Sequence, residues 1–396
     1  MAVGSSNDFD LVVLGAGTGG YTAAFRAAQL GLRVALVDED KIGGTCLHRG
    51  CIPTKALLES AGLVDRIRHA KEFGVGLPGD PTVNYAEMAK RRDAVVKRMW
   101  TGLKSLVTKN KVTWVQGRGR LDGPGKVRVL QAGEDGTRGA GGERLLETGD
   151  IILATGSRVK SLPGLVPDGT RILTSDDILL RDTLPRSIAI VGAGAVGVEF
   201  ASMFHDLGTQ VTVLEYLPAV VPLEDREVSQ ALERSFTKRG IRVMTNARFD
   251  PSAVAVEKDG VCVVVGPEGG KTEELRTEVM LVATGRAANI ENIGLETTKV
   301  EIERGIVKVN GRLRTREPHV YAIGDIVGGL WLAHTAAHEG IIAAHTIAGE
   351  KDVPEIDYAK QPRATYCRPE IASIGLTEQE CEAKGLPIKV GKVPFQ

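Results

Sequence analysis

The sequence predicts an α/β protein with parallel sheets in which one domain occurs twice. Three observations carry this reading. Short apolar runs recur and usually end in a glycine turn. Helical patterns lie between several of these runs. One layout (apolar strand, G-x-G-x-x-G, helix, Leu-Gly turn, second strand, acid) appears at residues 11–38 and again at 188–215, with an offset of 177 at every landmark. Runs of four apolar residues read as strands buried on both faces, the habit of parallel sheets, and strand–turn–helix alternation gives the α/β class. A period of 177 is far too long for a solenoid and implies two copies of one nucleotide-binding domain.

In chain order, Leu11–Leu14 is the first strand, running into Gly15, and Tyr21–Leu30 the helix after it. Residues 131–143, polar and glycine-rich, are expected to be a mobile hairpin tip between strands. Ile151–Ala154 is a strand running into Thr155-Gly156. Ile188–Val191 precedes Gly192, Val198–Leu207 is the second copy's helix, and Met280–Ala283 runs into Thr284-Gly285. From about Asp357 the character changes, and the piece to Gln396 is too short to be an independent domain.

Composition narrows the function. A length of 396 residues suggests two or three domains, and 42% apolar residues can fill several cores. Fifty basic residues balance fifty acidic ones, against a nucleic-acid partner. No apolar run approaches the roughly 18 residues of a membrane span. The first residues lack a basic segment followed by an apolar one, so the cytosol is the expected compartment. Five cysteines are too few for a disulfide-stapled fold, and any close pair becomes a candidate for chemistry.

The first motif is Gly15-Ala16-Gly17-Thr18-Gly19-Gly20, with a strand before it, a helix after it and Asp38 at the end of the next strand. Gly15, Gly17 and Gly20 allow a tight turn and close backbone approach to a pyrophosphate, which the helix N-terminus attracts. Asp38 suits the ribose hydroxyls of an adenosine. The second copy carries Gly192, Gly194 and Gly197 and ends at Glu215. A carboxylate there repels a 2′-phosphate, so NAD is expected over NADP.

The third motif runs from Gly43 to Lys55 as Gly-Gly-Thr-Cys-Leu-His-Arg-Gly-Cys-Ile-Pro-Thr-Lys. Cys46 and Cys51 are five apart, which does not match the C-x2-C spacing of zinc sites, and no metal is expected. In one ideal helix they would face different ways, about 7.5 Å apart along the axis. A disulfide needs Cα atoms within roughly 7 Å, and Gly50 and Pro53 permit the distortion. Two buried, unpaired thiols are the commoner fate of cysteine, but the place of this pair after a dinucleotide fingerprint favours redox chemistry. Cys262, Cys367 and Cys381 are expected to be structural. His48 is expected to be a surface residue, with nothing in the sequence to give it a partner.

This motif resembles the redox signature of the flavoprotein disulfide reductases (the pyridine nucleotide-disulfide oxidoreductases, class I), and its Cys-Ile-Pro-Thr-Lys form is most similar to the dihydrolipoyl dehydrogenases among them. The resemblance extends through Ala154-Thr155-Gly156, Gly197-Val198-Glu199-Phe200, Ala283-Thr284-Gly285-Arg286, Val320–Asp325 and Leu332-Ala333-His334. Residues 366–377, from Tyr366 to Thr377, resemble the opening of the family's dimerisation domain.

That resemblance implies two Rossmann-like domains, the second inserted in the first, followed by the start of an α+β dimerisation domain. It implies an FAD domain over 1–157 and 284–356, an NAD domain over 158–283 and a dimerisation segment over 357–396. By the same likeness, FAD is held by Gly15, Gly17, Gly20 and Asp38, by Gly44, Thr45 and Lys55 at the flavin, and by Gly119, Thr155, Gly156, Asp325 and Ala333. NAD is held by Gly192, Gly194, Gly197, Glu215 and Gly285. The family likeness makes Cys46 and Cys51 a redox-active disulfide, Cys46 meeting substrate and Cys51 lying nearer the flavin, and pairs Lys55 to Glu199. The implied reaction oxidises protein-bound dihydrolipoamide with reduction of NAD. The implied partners are a second copy of the chain and the lipoyl-bearing protein of a 2-oxoacid dehydrogenase or glycine cleavage complex. The alternatives are reduction of mycothione or glutathione disulfide, and a flavin-binding subunit whose role is assembly. The family's base is a histidine near the end of the dimerisation domain. No histidine follows His345 here, so the expectation is a chain truncated before that base, with slow lipoamide turnover.

Overall fold

The computed structural model describes residues 8–131 and 141–394. The chain forms two compact units. One comprises the chain up to Pro53 with Arg91–Arg158 and Arg286–Tyr358; the other comprises Thr54–Lys90, Val159–Gly285 and the chain from Ala359.

In the first unit, β1 (Phe9–Leu14), α1 (Thr18–Gln29), β2 (Val34–Asp38), α2 (Gly44–Arg49), α3 (Cys51–Arg68), α4 (Tyr85–Lys109), β3 (Thr113–Leu121), β4 (Lys126–Gln131) and β5 (Glu143–Leu153) follow in order. The chain leaves this unit inside α3 and returns inside α4. The parallel sheet has the order β3–β2–β1–β5–(Val320–Ala322), with Leu11 opposite Val34 and Val12 opposite Ile151. Side chains alternate across a strand. Leu11 and Val13 pack on α1 and the helix Ala333–Ile347, whereas Val12 and Leu14 pack on Leu121, Val127, Val129 and Leu146. Both faces of β1 are therefore covered, which explains four apolar residues in a row. The covering layer on the second side is an antiparallel meander made by the end of β3, β4 and the start of β5. Residues 132–140 of the expected hairpin tip lie outside the described residues, between β4 and β5.

The second unit repeats the plan. Its sheet runs Arg242–Met244, Gln210–Leu214, Ser187–Val191, Val279–Val282, Ile172–Leu173, all parallel. α5 (Ser175–Leu180) opens with a capping box made by Thr174 and Asp177; α6 (Ala195–Asp206) and α7 (Arg226–Arg239) follow. The strand Gly260–Pro267 pairs antiparallel with Ala247–Arg248, Ala255–Glu257 and Glu273–Thr277. From Ala359 the chain adds the antiparallel pair Arg363–Thr365 and Ile371–Ser373 and the short helix Glu378–Ala383.

The strands Ser187–Val191 and Val279–Val282 fall within a residue of the expected ones, whereas β1 starts two residues before Leu11 and β5, whose first half joins the antiparallel meander, starts eight residues before Ile151. The helices α1 and α6 begin at Thr18 and Ala195, three residues before the expected starts at Tyr21 and Val198. The cause is that each helix starts inside its own glycine turn, with Gly17 and Gly194 as N-caps.

Candidate active site

The two glycine turns are superimposable in their bonding. Gly15 and Gly192 both have φ +103, a left-handed conformation that favours glycine. Their amides donate to Val37 O and Leu214 O, each at 2.8 Å. A Cβ on Gly20 would lie 1.8 Å from Gly15 O, and one on Gly197 would lie 1.9 Å from Gly192 O. These two glycines therefore let each helix close on its turn. Asp38 Oδ2 accepts from Ala16 N at 2.7 Å and its Oδ1 from Asp40 N at 2.9 Å. Glu215 does the same with Ala193 N at 2.6 Å and Leu217 N at 2.8 Å. Each acid thus ties its second strand to its turn and keeps further lone pairs for a ligand. Burial pushes the Asp38 carboxyl up, against the pull of the Ala16 and Asp40 amides.

Asp38 borders a cavity of about 520 Å³ in the first unit, together with Gly15, Arg118, Gly119, Thr155 and Arg158. Thr155 is fixed by Asn289, donating from Oγ1 to Asn289 O at 2.8 Å and accepting from Asn289 Nδ2 at 3.0 Å on its carbonyl. Gly119 also has a packing reason: a Cβ there would meet Leu14 Cδ2 at 2.6 Å. α1 has no acid in its first turn and no side-chain cap, so its N-terminal N–H groups are open to an anion. A Cβ on Gly17 would meet nothing within 4 Å, leaving room for a pyrophosphate against the backbone. Gly44, at φ +59, brings the start of α2 against that turn; its Cβ would lie 2.6 Å from Gly17 Cα.

Elsewhere in this unit, Asp325 lies in the turn Gly324–Val327, bonded to Ser157, and Arg286 Nε donates to Ser157 Oγ at 2.6 Å. Next to Ala333, at the start of its helix, the Thr335 hydroxyl is buried with no hydrogen-bond partner among the described residues. These features fit FAD: an acceptor for ribose, a cradle for phosphates and an orphaned polar group for a polar ligand edge. The second turn fits NAD on the same grounds, since Cβ atoms on Gly194 and Gly285 would also meet nothing within 4 Å.

The cysteine motif folds as two helices rather than one. Cys46 lies in α2 and Cys51 opens α3, with the chain broken at Gly50 (φ −144, ψ −111). A Cβ at Gly50 would lie 3.1 Å from Thr45 O. Pro53 falls in the first turn of α3, where a missing N–H costs nothing. Both cysteines are half-buried. His48 corrects its expectation: it is half-buried, its Nε2 is 2.9 Å from Ile42 O, and its ring meets Trp100 edge-on. Cys367 is fully buried, and burial with the nearby Glu199 charge pushes its thiol up to about 12. That makes it inert.

In the second unit, Lys55 Nζ reaches both oxygens of Glu199, at 2.9 Å and 2.8 Å. Glu199 is 5% exposed. Sequence reasoning missed Tyr366 as a member of this group. Its N–H donates to Glu199 Oε1 at 2.9 Å and its ring lies under Lys55 Nζ, 4.9 Å from the centroid. It also missed Glu339, buried in the helix Ala333–Ile347, which accepts from Gly324 N at 2.5 Å and Tyr358 OH at 2.8 Å. Neither has a local signal, since each meets partners distant in sequence. Among the described residues no cluster of His, Cys, Asp or Glu is placed to hold a metal, and no helix is long and apolar enough to cross a membrane.

Two glycine-turn units, with two cysteines beside the first turn, define a dinucleotide-dependent oxidoreductase. Residues 9–340 match the model of the pyridine nucleotide-disulphide oxidoreductases and residues 361–396 match the dimerisation domain of that family. The chain belongs to this family, and it is an oxidoreductase that works with FAD and NAD(H). It is 46% identical over 391 residues to a dihydrolipoyl dehydrogenase of Bacillus subtilis (strain 168), covering 98% of this chain and 82% of that one. It is 43% identical over 392 residues to one of Chlamydia pneumoniae, covering 99% and 81%. Among solved structures it is similar to the crystal structure of LpdA from Mycobacterium tuberculosis, with a TM-score of 0.84 and 31% identity over 94% of this chain and 80% of that one.

Proposed function

We propose that the chain is a dihydrolipoyl dehydrogenase. The observation that carries this is the pair Cys46 and Cys51, half-buried on either side of the α2–α3 break, in a chain 46% identical to a relative of that name. In its oxidised form the pair is a disulfide. A thiolate of the substrate dithiol attacks Cys46 Sγ, and Cys51 leaves as a thiolate. The second substrate thiolate attacks its partner sulfur in the mixed disulfide, closing the substrate ring and releasing Cys46 as a thiolate. Two electrons and two protons have then left the substrate. FAD, when bound, supplies the two-electron chemistry that links this dithiol to NAD.

Gly15, Gly17, Gly20 and Asp38 hold its phosphates and ribose in the first unit, Gly44 and Thr45 line its flavin end, and Gly119, Thr155, Gly156, Asp325 and Ala333 complete the set. Gly192, Gly194, Gly197, Glu215 and Gly285 hold NAD. Lys55, one helical turn beyond Cys51, supplies a cation held by Glu199. We further read 1–157 and 284–356 as the FAD domain, 158–283 as the NAD domain and 357–396 as part of the dimerisation domain. The partners are a second copy of the chain and a lipoyl-bearing protein of a 2-oxoacid dehydrogenase or glycine cleavage complex.

The test is a steady-state assay of dihydrolipoamide with NAD beside assays of mycothione and glutathione disulfides with NADH and NADPH. NADH formation from dihydrolipoamide, with little reduction of the other disulfides, is the expected result. Faster turnover of either of the others would overturn the substrate assignment.

A further inference from the structure

One face of α6 binds both Lys55 and the segment Tyr366–Arg368. Glu199, Ser202 and Asp206 are spaced i, i+3 and i+7 and share that face. Glu199 Oε1 accepts Tyr366 N–H at 2.9 Å, Ser202 Oγ accepts Arg368 N–H at 3.0 Å, and Asp206 Oδ2 accepts from Arg368 Nη2 at 2.7 Å. Arg239, on α7, donates to Arg368 O at 2.6 Å and to Asp206. Ser202 is 0% and Asp206 4% exposed. The segment is thus held by backbone and side chain together. Its fixed register puts the Tyr366 ring 4.9 Å from Lys55 Nζ, while the same residue's N–H engages the carboxylate that pairs with that ammonium. Lys55 is four residues beyond Cys51 on α3, one turn along the same face.

We propose that Tyr366 is a positioning residue for the Lys55 ammonium. Its ring and N–H, clamped by α6, keep the cation over the turn of α3 that carries Cys51 and so favour the Cys51 thiolate. The inference rests on the redox role proposed for Cys51. It also makes the segment after Ala359 part of the redox machinery rather than only of the dimer.

The experiment uses the whole FAD-loaded chain, reduced and then freed of reductant, and reads the rate of Cys51 alkylation by iodoacetamide at pH 7 by mass mapping. A cation–π contact at a partly exposed site contributes about 0.5–1 kcal/mol. Tyr366→Leu should therefore slow Cys51 about two- to fivefold, and Tyr366→Phe, which keeps ring and N–H, should match wild type. In a Lys55→Met background, Tyr366→Leu should have no further effect. An unchanged rate in Tyr366→Leu overturns the proposal, as does a fall in Tyr366→Phe equal to that in Tyr366→Leu. An equal slowing of Cys51 by Tyr366→Leu in the Lys55→Met background also overturns it, because detachment of the segment, not the ammonium, would then be responsible. The redox reading itself fails separately, if mass mapping of the oxidised wild type finds no Cys46–Cys51 bond.

Discussion

Asp38 and Glu215 each divide two oxygens between the first amide of the glycine turn and the amide two residues on. Replacing Asp38 by Ala removes the acceptor offered to a ribose and also leaves Ala16 N and Asp40 N without theirs. A buried donor left unsatisfied costs about 1–3 kcal/mol. Asp38→Ala should therefore unfold at lower urea even without FAD, besides losing FAD on desalting; an unfolding midpoint equal to wild type would show the turn independent of its acid. For Glu215 the milder change is informative. Glu215→Gln keeps an oxygen for the turn and removes the charge that would face a 2′-phosphate. A like-charge contact costs several kcal/mol, so the ratio of kcat/KM for NADH over NADPH should fall by about tenfold or more. An unchanged ratio would assign the discrimination to another residue.

At the scale of elements, the helix Ala333–Ile347 does more than cover β1. Its Glu339, 1% exposed, grips the turn that carries Asp325 by accepting from Gly324 N. Burial above all pushes this carboxyl from 4.5 up to about 7, with the Asp325 charge adding to the rise and the Gly324 N–H and Tyr358 hydroxyl opposing it. Between those two pH values the folded chain holds a proton that the unfolded chain has released. The stabilisation is thus fully present below about pH 4.5 and is lost as pH rises through 7, on the order of 3 kcal/mol at about 1.4 per unit. Glu339→Gln mimics the protonated acid. It should match wild type in urea at pH 4.5 and exceed it at pH 8, whereas a variant with the wild-type pH slope would trace the dependence to another group. None of this was legible in the sequence, where Glu339, Gly324 and Tyr358 belong to three different segments and no periodicity links them. The cysteine motif was legible as far as its distortion, because Gly50 and Pro53 stand inside it. Where α2 begins was not legible, since Gly44 docks against Gly17, a contact across 27 positions.

For the whole molecule the legible part was the repeat, because a glycine turn is a local device and its spacing survives in the chain as an offset of 177. Turn amides, N-caps and acid hydrogen bonds recur at matched positions in the two units. The illegible part was the assignment of 54–90 to the second unit, which follows from Leu57, Ala61 and Val64 of α3 joining the core of Phe200 and Phe204. The repeat also yields a paired test that separates folding glycines from binding glycines. A methyl on Gly20 or Gly197 runs into a carbonyl oxygen of its own turn at 1.8 Å or 1.9 Å. Gly20→Ala and Gly197→Ala should both lower folded yield, with overpacking costing about 1–3 kcal/mol or more. A methyl on Gly17 or Gly194 enters open space, at ordinary φ values of −68 and −70. As N-caps they lose at most about 1 kcal/mol on change to Ala, so these two variants should fold. Gly17→Ala should then release FAD on desalting while the FAD-free chain unfolds near the wild-type midpoint. Gly194→Ala should keep its flavin absorbance and bind NADH about tenfold or more weakly in a fluorescence titration, near 1.4 kcal/mol. If Gly17→Ala kept FAD and Gly194→Ala lost it, the two units would have to exchange cofactors.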